Sequence, residues 1–294
     1  MDFVRLALER AATAAEGVEV IASLLEKHGQ GGGCEEGGSW TYHNSFLLAD
    51  PTEAWVVETA GKCWAAKRIT TGVHNISNCL SIRSDFDRCS PGLQEHARSQ
   101  GLWDGAGALD WAAAFSDGGA PPLGKLTAGR EANGRRLLEK AAASGMLGPA
   151  EMMAVLRDSG SGICMCDGAF RSNGAQVSLL LQPSGGDAAA AAAQHRHFFT
   201  ATPDPQRSAF KPFSFGTQPL DGSPHTAPTP CNPPQALWQA WQAAHEGRRG
   251  SNGGGRRPVA AAALRQLEAR GLEPESGLTF AAAVEAELRL YGME

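Results

Sequence analysis

The sequence predicts an α+β fold with mainly antiparallel pairing. Three observations carry this: two helical stretches before residue 30, three short extended runs separated by turn residues within 42–82, and helical then extended stretches between about 107 and 215. Strands joined through tight turns pair antiparallel, and helices grouped apart from the strands, rather than alternating with them, mark α+β.

Residues 2–11 carry Phe3, Val4, Leu6 and Leu8 among polar side chains, which suits a short, mostly buried helix. Thr13 followed by Glu16 is a capping box that opens a second helix. Val18, Ile21, Leu24, Leu25 and His28 recur at helical spacing and give that helix one apolar face to lay on a sheet. Gly29 to Gly33 ends it. In 42–82, Leu47 and Leu48 run into Asp50 and Pro51, which break a ladder. Trp55, Val56 and Val57 lead to Gly61, whose freedom at positive φ suits a tight hairpin. Trp64, Ala65, Ala66 and Ile69 form the return strand. His74, Asn75, Ser77 and Asn78 then make a polar cluster where a buried sheet meets its rim, a place where proteins keep chemistry.

Residues 83–91 are polar and turn-prone, and 101–117 read as a loop feeding a helix from about Gly107. Helices follow over 126–145 and from Pro149 to about Asp158, the proline suiting a first helical turn. Strands are expected at 175–181, 197–202 and 210–215, with the low-complexity stretch PSGGDAAAAAAQ as a hairpin loop. Composition divides the chain into a core over 1–216, a Pro/Gly/Ser-rich linker over 217–234 and an Ala-rich helical tail over 235–294, which packs on the body or frays.

Length suffices for a sizeable core in one or two domains. With 26 basic and 31 acidic residues and no sustained basic run, nucleic acid and anionic membrane are poor partners. Arg248, Arg249, Arg256 and Arg257 lie in a Gly-rich stretch and read as a solvated hinge. Neither a secretory signal nor an apolar run of spanning length is present, so the expectation is a cytoplasmic chain without membrane insertion. Seven cysteines at 34, 63, 79, 89, 164, 166 and 231 are irregularly spaced and odd in number, which fits reduced thiols. Cys164 and Cys166 form a C-x-C pair with no second pair at metal-ligand spacing, so buried thiols are expected, with no metal and no cofactor.

The stretch EAWVVETAGKCWAAKRIT followed by GVHNISNCLSI closely resembles the secernin family. The resemblance continues in MDFVRLALERAATAAEGVEVIASLLEKHGQGG, SGICMCDGAFRSNGAQVSLL and HFFTATPDPQRSAFKPFSFG, four segments in the family's order over most of 1–216. It implies kinship with cysteine dipeptidases that use an N-terminal nucleophile, hydrolysing short peptides through a thioester, and the four-layer αββα sandwich of that class, here incomplete at its N-terminal side. In such enzymes the first residue of the mature chain supplies the nucleophile and its free α-amine the base, with an ordinary pKa near ~8. The sequence begins Met1-Asp2, which fills neither role, so the expectation is a chain that lacks the family's N-terminal segment and is inactive alone. Cys34, in a glycine loop, has no place in the family's pattern as a nucleophile and reads as a bystander.

By the same resemblance Asn78 is an oxyanion donor, its side-chain amide keeping its dipole at any pH; on its residues alone it equally satisfies its own turn. Arg171, before a strand of the family's site region, either grips a substrate carboxylate in bidentate fashion or forms a salt bridge flanking the core. Asn75 and Asn44 are further candidates for substrate binding, with His74 and His43 beside them as rim residues or caps. Glu58, if buried, would take Arg68 or Lys67 across the hairpin. A second reading, from the family name and the helical tail, is a noncatalytic protein linked to regulated exocytosis that meets protein partners through its C-terminal helices.

Overall fold

The structure is a computed structural model and describes residues 2–31, 42–116, 129–145, 147–166, 171–182, 194–215, 236–245 and 259–293. Cys34, the alanine-rich stretch 183–193, the expected linker and the arginine cluster lie outside the described residues. The α+β expectation holds: helices and two antiparallel sheets occupy two compact units, Met1–Ala142 and Ala143–Glu294. No helix among the described residues is long and apolar enough to cross a membrane.

In the first unit, α1 (Asp2–Arg10) and α2 (Ala14–His28) precede a sheet of β1 (Asn44–Ala49), β2 (Ala54–Ala60), β3 (Cys63–Ile69) and β4 (Arg88–Cys89), hydrogen-bonded in that order. Pleat alternation divides β2 and β3 between two cores. Trp55, Val57, Trp64 and Ala66 face Val18, Ile21, Ala22 and Leu25 of α2. Val56, Ala60 and Ala65 face Leu80, Ile82, α3 (Leu93–Ser99) and α4 (Trp111–Phe115), with Trp111 wholly buried. A sheet covered on both sides is why β2 is an almost unbroken buried run.

The start of α2 is built as the capping box predicts. Thr13 Oγ1 accepts the Glu16 N–H at 3.1 Å, while Glu16 reaches back to the Ala12 N–H at 2.7 Å. Asp50, in the turn between β1 and β2, accepts the Ala14 N–H at 2.8 Å and ties the helix start to the sheet. Gly61 sits at φ 58° in the hairpin.

Three expectations are corrected here. Helix α1 is mostly exposed, with Leu8 at 79 % and only Ala7 buried, because α2 already covers the sheet. Helix α4 begins at Trp111 rather than near Gly107, since Gly107 takes φ 68° and Asp110 caps the helix by accepting the Ala113 N–H. The turn-prone stretch gives β4, and α3, which the sequence reading lacks altogether, follows it from Leu93.

Helix α5 (Arg130–Ala143) belongs to the first unit but for its last residue. In the second unit, α6 (Pro149–Leu156) packs with a sheet of β5 (Gln176–Leu179), β6 (Arg196–Phe199) and β7 (Lys211–Phe213) around Met153, Val177, Phe198 and Phe210. The C-terminal helices α7 (Ala236–His245), α8 (Ala261–Leu272) and α9 (Phe280–Leu290) belong to the same unit. Buried carboxylates tie them to the chain around β7. Glu268 accepts the Phe210 N–H at 3.0 Å, and Glu287 accepts the Ala209 N–H at 3.3 Å and pairs with the fully buried Lys211. The tail therefore packs rather than frays.

Candidate functional site

The polar cluster that follows β3 sits on an irregular segment, 70–82, held at both flanks. At its far end Glu58, with no exposed surface, points from β2 into the core shared with Leu80 and Ile82. Its Oε1 accepts both the Ser81 N–H and the Ser81 hydroxyl at 2.7 Å, and its Oε2 accepts the Ile82 N–H at 3.1 Å. Burial pushes this carboxyl above the ordinary range, and those bonds offset the push only in part; the Trp111 indole adds the weakest lowering influence, short of hydrogen-bond geometry. The expected partners are elsewhere: Arg68 pairs with Glu53, and Lys67 with Asp85. The register explains it, because Ala65 lies opposite Glu58 while Lys67 and Arg68 lie opposite Val56 and Trp55.

At the near end, Asn75 Nδ2 donates to the Glu131 carbonyl of α5 at 2.8 Å. Asn75 Oδ1 and His74 Nε2 are buried with no hydrogen bond to a described residue. Burial, then the Arg135 and Lys67 charges, hold the His74 imidazole below its usual pKa, so it is neutral at pH 7.

Between the two anchors stands Asn78. It is exposed, flanked by an isolated bridge between Ser77 and Cys79, and its side-chain amide makes no hydrogen bond with a described residue. It lies nine residues past the end of β3, on a loop rather than at a strand end. The arrangement offers solvent an unengaged amide N–H from a backbone pinned on either side, which is what an anion-stabilising donor requires.

The other candidates stand on other elements. Asn44 opens β1 opposite Thr59 and donates from Nδ2 to Gln30 Oε1 at 2.5 Å, in a capping network with Thr59. Arg171 belongs to the second unit, its guanidinium 5.9 Å from the Trp241 ring centroid. A cavity of about 410 Å³ opens between α2 and the β3–β4 edge, but its ionisable walls are engaged: Arg88 with Glu19, and Glu26 with the Trp64 indole.

Nucleophilic thiols need a lowered pKa. Burial instead pushes up Cys63, Cys79 and Cys89, and Cys164 to about 12. Glu131 and Glu58 raise Cys79 further. The sequence reading also passed over two residues that the fold brings to the C-x-C pair, Asp204 and Gln206. The separation of some forty residues hid them.

Residues 1–119 match the profile of peptidase family C69. The match takes in β1 to β4, Glu58 and the whole 70–82 segment, and ends before α5 and the second unit.

Proposed function

We propose that the first unit carries the oxyanion side of a cysteine-type dipeptidase site of the secernin kind, with Asn78 as the donor. In the reaction so assigned, a thiolate adds to the carbonyl carbon of a short peptide. The C=O electron pair moves to oxygen, where the Asn78 N–H meets it. Collapse expels the amine, which takes a proton from the base, and leaves a thioester that water cleaves to an acid and the regenerated thiol. The attacking sulfur is none of Cys63, Cys79, Cys89 or Cys164, whose raised pKa values keep them protonated at neutral pH. Asn75 and Asn44, with their amide nitrogens engaged by Glu131 and Gln30, steady the backbone. Arg171 is assigned separately as a bidentate grip for a carboxylate.

The observation that carries this reading is the exposed Asn78 amide, unengaged among the described residues, on a loop fixed by Glu58 and lying within the matched residues. A phosphinic dipeptide, which presents a tetrahedral oxyanion without needing a nucleophile, tests it by calorimetry. Asn78→Ala is expected to weaken the phosphinate ~10²-fold, the scale of one lost oxyanion donor, and to leave the affinity for the plain dipeptide unchanged. Equal binding of the phosphinate by both proteins refutes the assignment. Incubated with dipeptides, the purified chain is expected to release no amine through Cys63, Cys79, Cys89 or Cys164. Turnover that alkylation abolishes and that maps to one of the four named cysteines contradicts this.

A further inference from the structure

We propose that Cys164, Cys166 and Asp204 bind one zinc-class divalent cation, with the Gln206 amide oxygen or a water as the fourth ligand. The site lies wholly in the second unit and is independent of the dipeptidase reading.

The two sulfurs are 3.6 Å apart, and each is 3.7 Å from Asp204 Oδ1. A tetrahedral cation at ~2.3 Å from sulfur and ~2.0–2.2 Å from oxygen spans ligand separations of roughly 3.5–3.8 Å. The three ligand atoms therefore already stand at the edges of such a coordination shell. Gln206 Oε1 lies 3.5 Å from Cys166 Sγ, and the amide is oriented by its own Nε2, which donates to the Arg157 carbonyl and to Ser159 Oγ, both at 2.8 Å.

Hydrogen bonds hold the ligand segments in place. Ser172 ties the two ligand segments together: its hydroxyl accepts the Met165 N–H at 3.1 Å, and its carbonyl accepts the Asp204 N–H at 2.8 Å. The Cys164 N–H reaches the Asp158 carbonyl at 2.8 Å. Asp204 itself is only 1 % exposed and takes φ 53°, a left-handed conformation that costs a non-glycine residue free energy and that surrounding structure must enforce. Arg207 lies 3.4 Å from its Oδ2, leaving Oδ1 toward the sulfurs, where it also accepts the Gln206 N–H. Two thiols, one buried and one half-buried, brought together with a buried carboxylate suit a thiophilic cation, which on binding displaces the two thiol protons to solvent with no change of oxidation state.

The test uses the full chain, reduced and stripped of metal. Titrated with zinc alone against a chromophoric chelator, it is expected to take up one equivalent and to melt at a higher temperature. Titrated with cobalt(II), it is expected to show a sulfur-to-metal charge-transfer band and the visible bands of a tetrahedral ion. Cys166→Ser, at a half-buried position where serine is tolerated, is expected to lose at least ~100-fold in affinity, beyond the ~10–100-fold that a lost outer-shell partner costs. Cys63→Ser leaves affinity unchanged. Asp204→Asn abolishes one-to-one uptake if its melting curve stays cooperative. Uptake below one equivalent, a cobalt spectrum without the charge-transfer band, or equal affinity in Cys166→Ser overturns the proposal.

Discussion

Glu58 accepts hydrogen bonds from Ser81 and Ile82 while wholly removed from water. Its folded pKa is raised, so the stabilisation from the protonated carboxyl is complete below the unfolded value of 4.5 and is lost as pH rises through the folded value. Measured by urea denaturation, the stability of the wild type relative to Glu58→Gln, which keeps an acceptor without a charge, is expected to decline as pH rises above 4.5. Glu58→Ala orphans the Ser81 and Ile82 N–H groups, at roughly 1–3 kcal/mol each. The sequence marks Glu58 as a candidate for burial, since it interrupts an apolar run, but suggests the wrong partners. Arg68 and Lys67 are near in sequence, whereas the bonds come from two backbone amides 23 and 24 residues on, joined by the Ser81 hydroxyl. Backbone donors leave no trace in residue type. Asn78 is named by motif, while its place on a loop depends on where β3 stops.

At the scale of elements, α2 and the β2–β3 hairpin are legible because their signals are local: a capping box, a helical apolar stripe, and Gly61 between two apolar runs. Thr13→Ala is expected to lower stability by about 1 kcal/mol, the cost of a lost N-cap. Asp50 joins this helix to the β1–β2 turn. Burial alone would raise its carboxyl, but bonds from Thr52, Ala14 and Glu53 together hold it below its usual value of 3.8. Its contribution is present above that value and is lost as pH falls through the folded pKa, so Asp50→Asn is expected to reduce the acid sensitivity of unfolding. Helix α3 was illegible because only Leu93 and Ala97 are buried in it, too short a stripe to register a period. Strand β4 has two residues, Arg88 and Cys89, neither of which marks a strand.

On the scale of the whole molecule, acid acts through His74, His197 and His245, each half-buried in one unit or the other and each lowered chiefly by burial. Their stabilisation is complete above the unfolded value of 6.5 and is lost as pH falls through the folded values, so melting temperature is expected to drop below that point. In the second unit, the C-terminal helices depend on the buried Lys211–Glu287 pair. Lys211→Met leaves a buried carboxylate unpaired and is expected to cost about 3–5 kcal/mol, with Lys211→Met/Glu287→Leu costing less. The sequence leaves the tail's packing open because its alanines carry little apolar area and its deciding contacts are charges, Glu268 and Glu287, that a composition reading assigns to the surface. The dipeptidase reading rests in the end on one side chain. With the Asn78 amide protons assigned by nitrogen-15 NMR, addition of the phosphinic dipeptide is expected to shift them strongly downfield as they donate to its oxyanion. Resonances that stay in place at saturating ligand contradict the reading.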